Sequence, residues 1–224
     1  VEADTHEYIR TGCEDSKFGF TMKNDFAFNC VGDVLAAENV RLLGFHCHIG
    51  SQIFALTSFR EAVQVMTEFV LRVKEKYGFV TKELDMGGGL GIAYTADDRP
   101  SSIDESAECT VSAVRDFCAH YQLEEPRIMV EPGRSLVANA GVTLYTVGIL
   151  KTLPGIRKYI AVDGGMSDNI RTALYHAQYE PTIANKAGQM RTEIVTLCGK
   201  HCESGDAVVV DMPLQQAELG DIVC

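Results

Sequence analysis

Residues able to carry chemistry occur in short groups, each after an apolar stretch. In the first group, His46 and His48 are two residues apart, and side chains with that spacing share one face of a strand. Phe45, Cys47 and Ile49 alternate with them on the other face. We therefore expect the apolar face to pack on helices and both histidines to face the functional side of a sheet. Hydrogen-bonded structural histidines remain an equally good explanation, and Cys47 points the wrong way for a zinc site with them.

The second group is a glycine run that contains Gly87, Gly88 and Gly89 and follows an apolar strand pattern. Backbone N–H groups of such a run can approach and cradle a phosphate, because no Cβ intervenes. The run lacks the Gly-Lys-Ser/Thr ending of a nucleotide-binding loop and the spacing of the dinucleotide-binding fingerprint. A tight turn without a ligand is the alternative.

The third group, Glu131-Pro132-Gly133-Arg134, places a carboxylate and an arginine on either side of a rigid turn. The carboxylate suits the nitrogen of an electron-poor ring, and the guanidinium suits a carboxylate or a phosphate. A salt-bridged loop without a ligand would use the same residues, so the motif alone leaves both interpretations open.

Two further groups lie in the last third of the chain. Residues 163–175 are dense in polar side chains and include Arg171 and Tyr175, and Cys202 opens a Cys-Glu-Ser-Gly-Asp stretch in which Glu203 follows it. By itself such a stretch is usually a turn, and a lone cysteine is more often inert than catalytic.

Apolar periodicity predicts the elements that position these groups. Up to about residue 140, strand and helix patterns alternate, which is typical of a parallel sheet with crossover helices. We predict strands at 41–49, 80–86 and 127–131 and helices at 58–77 and 106–121. Ser58 and Glu61 form a predicted capping box at the start of the first helix, and Gly78 marks its end.

The pattern changes near residue 140. Four β-rich stretches separated by turn residues follow, at 142–150, 159–163, 193–197 and 207–210. We therefore predict an α/β part at 1–140 and a mostly-β part at 141–224. A closed eight-stranded α/β barrel takes about 250 residues, so the first part is either a small open sheet or a barrel whose first half is missing.

The composition argues against some classes of partner. The 224 residues carry a formal net charge of −11, whereas a nucleic acid or an anionic membrane would require a basic surface. No apolar run approaches the ~20 residues of a membrane span, and we expect no leader or signal peptide. The eight cysteines include no Cys-x-x-Cys pair, which favours reduced thiols in a cytosolic-type enzyme. The expected location is the cytoplasm, or the plastid if the source is a plant.

Taken together, these groups resemble the diaminopimelate decarboxylases, which belong to the fold type III (alanine-racemase-like) decarboxylases that use pyridoxal phosphate. The matching stretches stand in family order at 44–53, 87–92, 131–141, 163–169 and 202–206, and residues 5–12 and 16–19 fit the same family. The resemblance covers nearly the whole chain. It implies part of a pyridoxal-phosphate-binding (β/α)8 TIM barrel at 1–140, followed by a C-terminal mostly-β domain of barrel or sandwich type, both truncated.

The resemblance also implies how pyridoxal 5'-phosphate would be held. His48 would stack on the pyridine ring, and Ser51 would hold the phosphate together with the glycine run. Glu131 would pair with the pyridine nitrogen and keep it protonated, so that the ring accepts the electrons that decarboxylation leaves behind. The cofactor-binding residues implied are His48, Ser51, Gly87, Gly88, Gly89, Glu131, Gly133 and Arg134.

For the substrate, the resemblance implies four binding residues, Arg134, Arg171, Tyr175 and Glu203. Arg134 and Arg171 would suit the distal carboxylate of diaminopimelate, which ornithine and arginine lack. Cys202 would return a proton to the carbanion, and with His48 it makes up the implied catalytic residues. The Cys-Glu-Ser-Gly-Asp stretch of the family reaches into the partner's site, so a homodimer is implied. The family usually has prolines on both sides of Arg171, but Ile170 and Thr172 stand here, which predicts a less rigid loop.

One family feature is absent. None of the nine lysines stands in a stretch like the Tyr-Ala-x-Lys-Ala-Asn setting of the Schiff-base lysine, and the first residue is Val1 rather than Met. We therefore expect a fragment that is inactive alone, from a parent enzyme that converts meso-diaminopimelate to L-lysine in the last step of lysine biosynthesis. Alternatives are a sister decarboxylase of ornithine, arginine or carboxynorspermidine, and a non-catalytic relative that binds or regulates a decarboxylase.

Overall fold

The alternating pattern produces a small parallel sheet of three short strands. In the computed structural model, which describes residues 17–224, β1 (Gly44–His46), β2 (Glu83–Asp85) and β3 (Arg127–Met129) pair in that order. The register sets His46 opposite Asp85 and Asp85 opposite Met129, so the carboxyl ends of the strands are level. The family-like stretch at 5–12, together with Cys13 and Ser16, lies outside the described residues.

Three helices accompany this sheet, α1 (Phe26–Ala36), α2 (Leu56–Tyr77) and α3 (Ile103–Tyr121). The predicted helix start at Ser58 is wrong, because Ser58 already lies inside α2, with its amide donating to the Ala55 carbonyl at 3.3 Å and its side chain buried. The predicted end is confirmed. Gly78 adopts φ +66° and its amide donates to the Lys74 carbonyl, which closes the last turn of α2.

The capping box occurs instead on α3, at Ser102, four residues before the predicted start at Ser106. The Ser102 hydroxyl accepts the Glu105 amide at 3.1 Å, and a Glu105 carboxylate oxygen accepts the Ser102 amide at 2.8 Å. These hydrogen bonds lower the pKa of Glu105.

The described residues divide into two compact units, one of residues 17–92 and 99–139 and the other of residues 93–98 and 140–224. The apolar face of α2 supplies much of the core of the first unit. Its spacing of three and four residues brings Phe59, Val63, Met66 and Val70 onto one side of the helix, where all four are buried. Leu84 of β2 and Val114 of α3 complete this core.

The second unit contains a five-stranded mixed sheet of order β7-β6-β5-β4-β8. Its strands are β4 (Tyr145–Leu153), β5 (Arg157–Val162), β6 (Glu193–Cys198), β7 (Ala207–Leu214) and β8 (Ile222–Val223). Only the β5–β6 pair is parallel. Buried Val147, Ile160, Val195, Leu197 and Leu214 form its core. The first predicted β-rich stretch, 142–150, begins and ends three residues too early, because β4 starts at Tyr145 and its pairing with β5 carries it on to Leu153.

Two short helices connect these elements, α4 (Arg134–Val137) in the first unit and α5 (Arg171–Tyr175) in the second. None of the helices within residues 17–224 combines the length and the apolar character that a membrane span needs.

Candidate functional site

The first candidate site lies at the carboxyl edge of the parallel sheet. His46 ends β1, Asp85 ends β2, and Glu131 follows β3 by two residues. The His46 Nε2 lies 3.1 Å from a Glu131 carboxylate oxygen, and both side chains are about half exposed. The ligand atoms of His46, Asp85 and Glu131 all lie within 4.8 Å of one another, which brings three titratable groups together.

Backbone pairing continues beyond the strands and joins the loops that follow them. The Cys47 amide donates to the Asp85 carbonyl at 2.9 Å, and the Glu131 amide donates to the Gly87 carbonyl at 2.8 Å. The Asp85 carboxylate accepts the Gly87 amide at 2.9 Å and so fixes the start of the glycine run. Asp85 was not among the predicted site residues, although an aspartate two residues before a glycine is a recognisable turn signal.

The glycine run is required by the close approach of its neighbours. Gly87 and Gly89 have φ of +67° and +103°. A Cβ on Gly87 would lie 2.4 Å from the Cys47 carbonyl oxygen, and one on Gly88 would lie 2.2 Å from that of Glu131. Both distances are far below van der Waals contact, so side chains are excluded at this turn. The run therefore forms a tight turn that lies against the loops after β1 and β3, and its role in holding a phosphate stays a prediction.

His48 is hydrogen-bonded to this turn. Its Nδ1 accepts the Gly88 amide at 3.3 Å, so a neutral His48 carries its proton on Nε2. Burial lowers the pKa of His48, and the neighbouring His46 lowers it further, against the opposing charge of Glu131.

The apolar face of the histidine stretch packs as predicted. Phe45 meets Phe69 of α2 edge to face, with ring centroids 5.1 Å apart. Cys47 packs against the same core as the buried Ile49. Burial, with a further contribution from Asp85, raises the pKa of Cys47 to about 12, so this thiol stays protonated.

Arg134 is hydrogen-bonded to two side chains of the loop after β1. Arg134 Nη2 donates to the Ser51 hydroxyl at 2.6 Å, and Nη1 donates to the Gln52 side-chain oxygen at 3.1 Å. Gln52 in turn donates to the Ile92 carbonyl at 2.7 Å, beyond the end of the glycine run. Gln52 is a positioning residue that the sequence interpretation missed, although it stands in the matched stretch. Gly133 lies before α4, and a Cβ there would meet nothing within 4 Å.

The second unit holds the other predicted site residues. Cys202 and Glu203 are exposed in the turn between β6 and β7. The buried Asp206 carboxylate anchors this turn, because it accepts the His201 amide at 2.9 Å and the Met166 amide at 2.6 Å. The Ser167 hydroxyl and the His201 Nε2 lie 2.8 Å apart, which makes another link between the same two loops. The structure therefore fixes the backbone beside Cys202 and leaves its thiol accessible.

Arg171 and Tyr175 share α5, on a different loop from Cys202. The Arg171 guanidinium lies against two tyrosine rings, Tyr94 and Tyr179. Sequence reasoning missed both tyrosines. Tyr94 precedes Arg171 by far more residues than any local pattern spans, so no periodicity could have paired them.

Comparison with known proteins decides the family. Residues 1–138 match the family model described as the pyridoxal-dependent decarboxylase, pyridoxal binding domain. The chain belongs to this family. The diaminopimelate decarboxylase of Bacillus subtilis is 48% identical over 223 residues, which cover 100% of this chain and 51% of that protein. That of Synechocystis is 45% identical over 224 residues, which cover 100% of this chain and 47% of that protein.

Solved structures agree with this membership. The diaminopimelate decarboxylase of M. jannaschii in complex with L-lysine superposes with a TM-score of 0.86 at 33% identity, covering 98% of this chain and 49% of that one. The diaminopimelate decarboxylase of Helicobacter pylori complexed with L-lysine superposes with a TM-score of 0.84 at 28% identity. The match covers 100% of this chain and 52% of that one. The resemblance predicted from the motifs is thereby confirmed. The chain spans about half the length of the relatives it matches.

The residues of the first unit fit the cofactor that this family binds, pyridoxal phosphate. A phosphate needs hydrogen-bond donors and positive charge, which Ser51 and Arg134 supply, and the open backbone at Gly133 leaves room beside them. A protonated pyridine nitrogen needs a carboxylate, and Glu131 offers a half-exposed one.

Proposed function

We propose that this chain is part of an enzyme that decarboxylates meso-diaminopimelate to L-lysine with pyridoxal phosphate. One observation carries the proposal: His48, the glycine turn and Glu131 meet at one sheet edge through direct hydrogen bonds. Such an assembly offers a ring-stacking group, a turn and a carboxylate to a single cofactor. The identity of 48% with a diaminopimelate decarboxylase over the whole chain supports this choice of reaction.

The proposed fold of the whole protein follows from the same relatives. The parallel sheet with α2 and α3 would form part of a (β/α)8 TIM barrel in residues 1–140, and residues 141–224 would form part of a C-terminal mostly-β domain. The level carboxyl ends of β1, β2 and β3 support this assignment, because barrel enzymes build their sites from the loops at that end.

Each residue of the first unit has a proposed task toward the cofactor. His48 would pack on the pyridine ring, and Glu131 would hold the proton on its nitrogen. Ser51 and Arg134 would hold the phosphate, together with backbone groups of Gly87, Gly88, Gly89 and Gly133. When bound, pyridoxal phosphate supplies the electron sink for the pair of electrons left by carbon–carbon cleavage.

The residues of the second unit have proposed tasks toward the substrate. Arg171, Tyr175 and Glu203, with Arg134, would bind its charged groups, and Cys202 would deliver a proton from Sγ to the carbon that loses the carboxylate. The exposed position of Cys202 and Glu203 supports their role in completing the site of a second copy in a homodimer. The cytoplasmic location, or a plastid location in a plant, stays a prediction.

Turnover by the full-length protein tests the proposal. Purified protein supplied with pyridoxal phosphate is mixed separately with meso-diaminopimelate, ornithine, arginine and carboxynorspermidine, and the carbon dioxide and amine products are measured. We expect release of L-lysine from diaminopimelate and at least about a hundredfold lower turnover of the others, because they lack the distal carboxylate.

Two other outcomes would reject the proposal. Preferred turnover of one of the other substrates would identify a sister decarboxylase. A protein that decarboxylates none of them but binds an active decarboxylase would identify a non-catalytic relative. A full-length Glu131→Gln variant is the control, and it should lose most of the activity while keeping its fold, since Glu131 is half exposed.

A further inference from the structure

Within the second unit, the guanidinium of Arg171 is held by two tyrosines. Its central carbon lies 4.5 Å from the centre of the Tyr94 ring and 5.8 Å from that of Tyr179. Arg171 Nη1 also donates a hydrogen bond to the Tyr179 hydroxyl. The two rings meet edge to face, with centroids 5.5 Å apart. Stacking and hydrogen bonding together therefore fix the plane of the guanidinium.

Arg171 pairs with no carboxylate anywhere in residues 17–224. Arg157 of the same unit differs, because it donates to both carboxylate oxygens of Asp211, at 2.8 and 2.7 Å. An arginine has five N–H donors, and the contact with Tyr179 uses one of them. Arg171 is thus oriented without being neutralised, which is the state expected of a residue that receives an anion from outside.

The tyrosines are themselves fixed by short backbone links. The Asp98 carboxylate accepts the amides of Tyr94 and Thr95, each at 2.8 Å, and so shapes the turn that presents Tyr94. Glu180, next to Tyr179, accepts the Ala96 amide at 2.9 Å. The segments that carry the two rings are therefore tied to each other.

Hydrogen bonds fix the backbone at Arg171 but not the direction of its side chain. The Arg171 amide donates to the Asn169 side-chain oxygen at 3.2 Å, and the Arg171 carbonyl accepts the Ala177 amide at 3.3 Å. The α5 helix that Arg171 begins has only five residues. The contacts with Tyr94 and Tyr179 then fix where the guanidinium points.

We propose that Tyr94 and Tyr179 are positioning residues that hold Arg171 for the distal carboxylate of the substrate. This inference rests on the proposed function and deepens it. The tyrosine pair would favour a substrate with a distal carboxylate over one with only a distal amine. Neither tyrosine need touch the substrate, because both act through the orientation of Arg171.

Steady-state kinetics of the full-length enzyme test the role of the Tyr94 ring. We expect Tyr94→Leu to raise KM for diaminopimelate about five- to tenfold, the range that a partly desolvated cation–π contact supports. Its kcat should stay within about twofold, since Arg171 is assigned to the distal carboxylate and not to the reacting carbon. Tyr94→Phe keeps the ring face and should restore KM to within about twofold of wild type. Tyr159→Leu removes another tyrosine that lies beside an arginine, and as a control it should leave both constants unchanged.

Comparing inhibition by L-lysine and by cadaverine shows whether the tyrosines act through a carboxylate of the ligand. L-lysine keeps the carboxylate that the reaction does not remove, whereas cadaverine has none. In both Tyr94→Leu and Tyr179→Phe we expect the inhibition constant of L-lysine to rise, by about threefold in Tyr179→Phe. The inhibition constant of cadaverine should stay constant in both variants. Tyr179→Phe removes only a hydroxyl, so it gives a result even if Tyr94→Leu fails to fold.

Two results would overturn the inference: unchanged KM and lysine inhibition in Tyr179→Phe and in folded Tyr94→Leu, or an equal weakening of lysine and cadaverine. Failure of the proposed function is distinguishable, because then the wild-type enzyme itself would release no lysine from diaminopimelate.

Discussion

The edge of the parallel sheet and the loops of the mixed sheet present their chemistry in different ways. At the parallel edge, main-chain groups dominate: the Gly87–Gly89 turn contacts the neighbouring loops at distances that leave no room for a Cβ. In the second unit, side chains dominate, since Asp206 anchors the turn beside Cys202 and two tyrosines orient Arg171. The glycine turn is thus specified by positions that exclude a Cβ, with Asp85 and His48 bonded to it, and the loops of the second unit are specified by side-chain contacts.

This difference suits the two proposed tasks. A cofactor that stays bound benefits from a rigid surface of backbone groups whose spacing cannot drift. A substrate that must enter and leave benefits from exposed groups such as Cys202 on a turn that is anchored from beneath. Substitutions of the tightly approached glycines should therefore reduce stability, whereas substitutions of the exposed groups of the second unit should reduce turnover or raise KM.

The largest effect is expected on turnover, at Cys202. In the full-length enzyme, Cys202→Ala should lower kcat about a thousandfold, within the usual contribution of a positioned proton donor. Its thermal midpoint should match wild type, because the thiol is exposed. Cys47→Ala is the matched comparison in the buried region, and it should lower the midpoint instead. A fully active Cys202→Ala enzyme would show that the proton comes from elsewhere.

A large loss of stability is expected at the glycine turn. Gly88→Ala would force a Cβ to within 2.2 Å of the Glu131 carbonyl oxygen and should cost about 3 kcal/mol of unfolding free energy. Gly133→Ala meets nothing within 4 Å and should cost under about 1 kcal/mol. Urea unfolding of both full-length variants measures the contrast. Equal costs would mean that this edge is not specified by backbone approach.

The anchor of the second unit should give an intermediate effect. Asp206→Ala leaves the partly buried amides of Met166 and His201 without their acceptor and should cost about 2 kcal/mol. Glu203→Ala, at an exposed position of the same turn, should change stability by less than about 0.5 kcal/mol. The same unfolding experiment applies, and a neutral Asp206→Ala variant would contradict the anchoring role.

The smallest expected effect is on the pH dependence of stability, through His48. Because the pKa of His48 is lowered in the folded protein, the unfolded chain binds this proton more readily. The folded state therefore gains stability from His48 above the ordinary pKa of about 6.5 and loses it as the pH falls below that value. Unfolding midpoints at pH 5.5 and 7.5 should differ less in His48→Asn than in wild type. A larger difference in the variant would reverse the assigned direction.

Features set by neighbouring residues, such as the core face of a strand and the end of a helix, were predictable from the sequence. Features that depend on residues far apart in the chain were not. Alternating polarity around Cys47 placed the core face correctly, and Gly78 ended its helix as expected. Two Ser-x-x-Glu patterns occur, at Ser58 and at Ser102, yet only the second caps a helix. At Ser58 the two preceding residues are already helical, and no short motif reveals that.

The residues of the candidate site likewise divide into those predictable from local sequence and those that were not. Glu131 and the glycine run were recognisable because each follows a strand within a few residues. The contacts of Gln52 with Arg134 and of Tyr94 with Arg171 join residues far apart in sequence, and folding alone brings them together. No periodicity encodes such pairs.

The central claim assigns Arg134 to the cofactor and Arg171 to the substrate. It is tested most directly by measuring the Kd of pyridoxal phosphate for full-length Arg134→Gln and Arg171→Gln, with the absorbance of the bound cofactor as the signal. Arg134 donates to Ser51 at the cofactor edge, so its loss should raise the Kd at least about tenfold, as expected for a charge-assisted phosphate contact. Arg171→Gln should keep the wild-type Kd within about twofold and raise KM for diaminopimelate. Equal weakening in both variants, or weakening in Arg171→Gln alone, would contradict the assignment of the cofactor to the parallel-sheet edge.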